Sequence, residues 1–309
     1  MASATLLDDR RDSIRALKSM SKKFRREVTE FGLASILELI REENDSECRS
    51  LALDSILILV GADDDLDIAC PVARDTALHI SQSKDLISLF FNVLDDGEVK
   101  AKLSALRLLT AVARNYPVEV QNVIQEKPGG SSMLVDGIGS ANELLRNECL
   151  LLLIAVAENN QILQKIIAFE NTFEIALNVA GAEGGIDGGP VSEDCFALLL
   201  TLLKDNQSNI SFFRETALVP RLIPFLDAVS SGDENWTAGK INCCLLFLGI
   251  IRSLVSTTLP GNISLPNQKA MRKTGLFAKL MNFIMGVSVP EEILTEVILT
   301  GIFTSTTSF

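Results

Sequence analysis

The stretches Leu109–Asn115 (LTAVARN), Leu153–Asn159 (LIAVAEN) and Leu200–Asn206 (LTLLKDN) read as copies of one element, 44 and 47 residues apart. Self-similarity at such a period is the mark of a repeat architecture. Weaker copies begin at Leu17 (LKSMS), Leu57 (LILVG) and Leu248 (LGIIR), giving steps of 40, 52 and 48. The longest step contains the acidic insert GADDDLD, read as a loop that lengthens one unit. In each unit a long apolar helix is followed by a polar break and a second amphipathic helix, as in QKIIAFENTFEIALNVA and FFRETALVPRLIPFLDAV. A repeat of this kind buries its apolar face only against its neighbours. The expected fold is all-α, an armadillo/HEAT-like α-solenoid of about six to seven repeats, forming a single domain over residues 1–309.

Working outward, helical periodicity dominates and sustained alternation is scarce; one Tyr and one Trp fit this. Apolar helix faces appear in ASILELI, LALDSILIL, LSALRLLTAVA, ECLLLLIAVAENN, DCFALLLTLLKDN and CCLLFLGIIRSLV. In the first helix Ile14, Leu17, Phe24 and Val28 form the inward face, with Arg11, Arg15, Lys18 and Lys22 opposite. The breaker-rich stretches EKPGGSS (126–132), GAEGGIDGGP (181–190) and LPGNISLPN (259–267) read as connections between helices. In AENNQILQKIIAFENTFEIA (157–176), Asn159 and Asn160 sit where one helix must stop, and Ile162, Ile166, Ile167, Phe169 and Phe173 read as packing residues.

Hydrophobic residues make up 47% of the chain, with a mean hydropathy of +0.28, so many apolar faces must be buried. The longest apolar runs, Cys149–Ala157 and Cys243–Ile251, are nine residues each. They suit buried helices better than the ~20 residues of a membrane span. The charged start DDRRD leaves no signal-peptide core, and the chain reads as cytosolic. Six scattered cysteines without a C-x-x-C pair read as small core residues.

The net charge of −12 argues against a nucleic-acid binder. Residues 10–26 depart from it, with eight Lys/Arg and one Asp for a local +7, which leaves −19 for the rest. This helix is a candidate surface for an acidic partner or anionic lipid, with Arg15, Lys18, Lys22 and Lys23 as its carriers.

Catalytic and metal chemistry find no support. The one histidine, His79, lies near an expected helix start with no G-x-S-x-G elbow anywhere. The glycine cluster at 181–190 lacks the P-loop and dinucleotide fingerprints. Asp63, Asp65 and Asp67 imitate the start of a calcium loop, but Ile68 stands at its glycine position and Arg74 at its final acid. No residue set calls for a cofactor. A basic-peptide adaptor would need W-x-x-x-N arrays, yet Trp236 is followed four residues later by Lys240.

Four segments, Thr5–Val28, Leu144–Leu177, Ala182–Glu215 and Asn267–Glu296, resemble the N-terminal globular head of the general vesicular transport factor family, the tethers of endoplasmic-reticulum-to-Golgi traffic. The resemblance implies a non-enzymatic armadillo-like head, cytoplasmic and peripheral on Golgi membranes and ER-derived vesicles. It implies binding to a Rab-family small GTPase, SNAREs and other Golgi tethers. An armadillo-type adaptor in another cytosolic pathway is the alternative. Polar residues of the best-matching segment, Arg146, Asn147, Gln164, Lys165, Glu170 and Asn171, are the further candidates for partner contact. Family members dimerise through a coiled coil and bind a golgin through an acidic tail. The chain ends at TGIFTSTTSF without either, so neither property is carried over.

Overall fold

The computed structural model describes residues 7–42, 45–62, 70–230, 236–256, 258–284 and 289–305. No strand occurs among them. The acidic positions Asp63, Asp65 and Asp67 lie outside the described residues. The chain divides into two compact units, Met1–Val156 and Ala157–Phe309.

The first unit runs α1 (Leu7–Lys23), α2 (Arg25–Glu42), α3 (Ser46–Leu59), α4 (Pro71–Ser81), α5 (Lys84–Asp96), α6 (Val99–Asn115), α7 (Pro117–Glu126), α8 (Gly130–Ile138) and α9 (Glu143–Ala157). Helix α3 packs on α1, α2 and α6, and α4 packs on α7. Leu53, Ile56, Leu59, Phe90 and Phe91 are fully buried. The small residue Gly137 admits α9 closely, since a Cβ there would meet Cys149 Sγ at 2.4 Å.

The second unit runs α10 (Gln161–Ile167), α11 (Phe173–Ala182), α12 (Pro190–Leu203), α13 (Gln207–Glu215), α14 (Ile223–Ser230), α15 (Ala238–Val255), α16 (Gly261–Thr274), α17 (Leu276–Ile284) and α18 (Glu291–Ser305). It is layered: α12 on α15 on α18, α10 on α13 on α16, and α14 on α17. Phe196, Phe225 and Phe247, from α12, α14 and α15, form a triangle with ring centroids 5.4–5.6 Å apart. Helix α15 has the length and composition of a membrane span. Its Cys243, Cys244, Phe247, Ile250, Ile251 and Leu254 are buried instead in the core of this unit.

The repeat therefore holds three helices, the armadillo arrangement, where the sequence pattern read two. The extra break falls inside each expected second helix. Between α10 and α11 the chain makes a wide turn at Ala168–Thr172, with Asn171 at φ 64°. Between α13 and α14 Ala217 takes φ 58°, and between α16 and α17 Gly275 takes φ 81°. A left-handed residue ends a helix because it turns the following N–H back onto the last carbonyls. Leu218 N accordingly donates to Phe213 O at 3.2 Å. Apolar periodicity continues through such a break, so pattern alone runs the two helices together.

The long helices α9 and α12 stop by a related device. Asn159 (φ 57°) and Asp205 (φ 55°) are left-handed. Asn160 and Asn206 then cap α10 and α13, accepting from Leu163 N at 3.0 Å and Asn209 N at 3.2 Å. The helix stop expected at Asn159 and Asn160 is thus where the chain turns. The copies align one residue differently from the quoted stretches: Asn206 matches Asn160, and Asp205 matches Asn159.

Several local expectations are corrected. The stretch 259–267 is mostly helix, because α16 starts at Gly261 and carries Pro266 inside it. The hydrogen bond lost at Pro266 is set against new ones: Asn267 Nδ2 donates to Leu254 O at 2.7 Å and Gln268 Nε2 to Ser264 Oγ at 3.1 Å. The stretch 126–132 shrinks to Lys127–Gly129 between α7 and α8, and 181–190 contains a short 3-10 turn at Gly185–Asp187. His79 lies in the last turn of α4, not near its start, because Pro71 begins that helix. Ile162 and Phe169 are 66% and 64% exposed and do not pack inward, whereas Leu163, Ile167 and Phe173 are buried. Phe24 is likewise exposed, at the junction of α1 and α2.

Ala217 is exposed, so its side chain contributes no packing while its backbone is strained. Ala217→Gly is expected to raise stability by about 1 kcal/mol, read as a higher midpoint in thermal or urea unfolding.

Candidate functional site

The basic helix is largely neutralised within its own unit. Arg11 binds Asp45 at 2.6 Å through Nη2 and 3.1 Å through Nε. Arg15 meets Glu47 at 2.5 Å and Asp12 at 2.9 Å. Lys18 Nζ lies 2.7 Å from Asp54 Oδ2, whose other oxygen accepts from Ser104 Oγ at 2.6 Å. Three cations of α1 thus hold α1 to α3, and Asp54 carries the link on to α6. Further along, Arg107 of α6 reaches Glu148 of α9 at 2.6 Å. Lys22, Lys23 and Arg26 are the exposed cations at the far end of the helix pair.

The Arg11 guanidinium holds the Asp45 carboxyl well below the usual carboxylate range, first through its side-chain hydrogen bonds. Asp45 also caps α3, accepting from Cys48 N at 2.9 Å. Arg11 and Arg15 are correspondingly raised, by the hydrogen bonds they donate to Asp45 and Glu47.

The other candidates separate into structural and surface residues. Gln164 is buried: its Nε2 donates to Ala157 O at 3.1 Å and its Oε1 accepts from Asn206 Nδ2 at 3.0 Å. Asn209 completes the ladder, donating to Leu202 O at 2.8 Å and Gln164 O at 3.0 Å. Lys165 and Glu170 are half-buried, and Asn171 is exposed at the wide turn. Beside them Phe169 stacks on Phe212 with centroids 4.5 Å apart. This contact of an exposed Phe169 with a half-buried Phe212 was missed because helical spacing assigned Phe169 inward. Arg146 and Asn147 lie half-buried on α9, in the first unit, and Asn147 Oδ1 is buried without a hydrogen-bond partner among the described residues.

Among the described residues nothing is arranged as a reaction centre. His79 is exposed at the rim of a groove of about 370 Å³ between α2 and α4, with Arg26, Glu30 and Asp75 around it. Among the described residues no group of three His, Cys, Asp or Glu converges as a metal site. Burial pushes the Cys149 and Cys244 thiols up to about 12 and Cys243 to about 11, the values of inert core cysteines. Cys70 differs: it is half-buried at the start of α4, where the Ala73 N–H lowers its pKa. Lys240 is buried against Asp187 at 2.7 Å, with its ammonium 5.1 Å from the centre of the Trp236 ring. It serves packing and not peptide capture.

Residues 233–293 match the family described as the armadillo tether-repeat of vesicular transport factor. Over 96% of its length the chain is 37% identical to the human "General vesicular transport factor p115". The chain is a homologue of the general vesicular transport factors. It is also 30% identical over 87% of its length to the "Intracellular protein transport protein uso1" of Schizosaccharomyces pombe. The chain spans about a third of the human relative (32%) and 25% of the fission-yeast one. A Uso1 crystal structure superposes with a TM-score of 0.90 at 26% identity, covering 98% of this chain and 49% of that one. A designed armadillo repeat protein superposes at 0.65 with 12% identity, covering 88% of this chain and all of that one, a likeness of fold alone. These matches agree with the three-helix repeat and with the armadillo reading of the sequence.

Folding favours ionised Asp45, so that contribution is complete above the unfolded carboxylate pKa near 4 and is lost as pH falls through the lower folded value. Asp45→Asn keeps the helix cap. It is expected to flatten the acid limb of a stability-against-pH profile below about pH 4, measured by urea unfolding in a series of buffers.

Proposed function

We propose that the chain acts as the head of a vesicle tether in ER-to-Golgi and intra-Golgi transport, working by binding and without catalysis. The observation that carries this reading is the 37% identity running through 96% of the chain to a general vesicular transport factor, on an armadillo framework. In this reading residues 1–309 serve as one armadillo-like domain, held peripherally at Golgi membranes and ER-derived vesicles from the cytoplasm. Its partners are a Rab-family GTPase in the GTP state, with SNAREs and other Golgi tethers as further ligands.

Rigid stacked helices suit this task, because a surface that keeps its shape loses little entropy on binding. Lys165, Asn171 and the exposed Phe169 are proposed to contribute partner contacts in the second unit, with Glu170 at their edge. Gln164 supports them from beneath, since both ends of its amide are engaged inside the repeat. Arg146 and Asn147 are proposed contact positions of the first unit, as are Lys22 and Lys23, while Arg15 and Lys18 chiefly anchor α1 to α3.

The test is capture of purified early-secretory Rab GTPases, loaded with GDP or a non-hydrolysable GTP analogue, on the immobilised chain. Preference for the GTP form by about tenfold or more, about 1.4 kcal/mol, is the expected outcome. Equal capture of both forms, or none, overturns the GTPase reading and favours an adaptor of another pathway.

A further inference from the structure

Met20, Phe24 and Phe31 are 46%, 50% and 78% exposed, three large apolar side chains within one short span of α1 and α2. Scattered exposed hydrophobics are ordinary on protein surfaces, but three large ones so close in sequence, interleaved with exposed cations, suit an interaction site. The charges among them are Lys22, Lys23 and Arg26, all exposed, with half-buried Arg25 behind. Glu27 and Glu30 are also exposed and partly offset them. Arg11, Arg15 and Lys18, further back on α1, are held by Asp45, Glu47 and Asp54.

We propose that the surface carrying Met20, Phe24 and Phe31, flanked by Lys22, Lys23 and Arg26, contacts the bilayer directly, with anionic lipid as its ligand. Aromatic and thioether side chains enter the boundary between headgroups and acyl chains, while Lys and Arg stems keep their charges among the phosphates. The charge distribution favours this occupant over an acidic protein groove. Outside residues 10–26 the chain carries −19, so an anionic membrane repels most of the molecule and attracts this segment. Orientation then follows from electrostatics, and retention from the apolar side chains. Each half is weak by itself, so contact is reversible and depends on lipid charge. Pure lipid vesicles hold no GTPase, so they separate this contact from any that Lys22 and Lys23 make with a protein partner.

The experiment is co-sedimentation of the full chain with phosphatidylcholine vesicles, with or without about 30% phosphatidylserine, at low and moderate salt. Binding is expected only to the anionic vesicles and should weaken with salt. Glu27→Lys should tighten it several-fold and Lys23→Glu weaken it about fivefold or more. The double variant Phe24→Ser/Phe31→Ser should abolish retention while keeping the helical circular dichroism. In Phe31→Trp, the spectrum left after subtracting the parent, whose one tryptophan is Trp236, should shift to the blue on vesicle addition. No sedimentation with anionic vesicles overturns the proposal. So does sedimentation unchanged in the Phe24→Ser/Phe31→Ser protein, or no shift for Phe31→Trp.

Discussion

An apolar helix that ends against other helices buries its last carbonyls, which have no partner inside the helix. This constraint governs the protein, because every repeat stops a long apolar helix within the core. The chain answers with side-chain amides. In the first unit Gln121 Nε2 donates to Val156 O at 2.9 Å. In the second, Gln164 serves Ala157 O, Asn209 serves Leu202 O, and Asn267 serves Leu254 O. The same side chains connect successive repeats: Asn206 binds Gln161 O and Gln164 Oε1, and Arg214 donates to Asn267 Oδ1 at 3.2 Å. Leaving a buried acceptor unmatched costs about 1–3 kcal/mol, so each amide fixes both a helix end and the position of the next repeat.

Electrostatics perform the corresponding task at the start of the chain. The +7 segment draws attention in the sequence as a surface feature, yet its first three pairing cations are spent holding α1 onto α3. Exposed ion pairs contribute little individually. Here the Arg11–Asp45 pair is bidentate in character and Asp45 also caps a helix, so one carboxylate serves two elements. At the far end of the segment exposed cations and exposed apolar side chains lie close in sequence.

Surface residues were harder to place than core residues for a physical reason. Helical spacing marks which positions can share a face, and a buried position is recognisable because an apolar side chain recurs there. Leu163, Ile167 and Phe173 follow that logic. Phe169 obeys the same spacing but lies next to the break at Asn171, where the chain leaves the helix axis and carries the ring outward to Phe212. Gln164 shows the converse: a polar side chain in a helix reads as exposed, and only its two carbonyl and amide partners from elsewhere in the unit explain its burial.

The sequence by itself determined that the chain is helical, that it repeats every 40 to 52 residues, and that one long helix ends at Asn159 and Asn160, because apolar periodicity and turn chemistry are local properties. The tertiary structure decided that each repeat has three helices, that 259–267 is largely helical, and that the basic helix is internally paired. Those outcomes depend on which groups meet across the repeat: a left-handed Ala217 or Asn171 is tolerated only where packing holds both flanking helices, and Arg11 is committed only because α3 brings Asp45 within 2.6 Å.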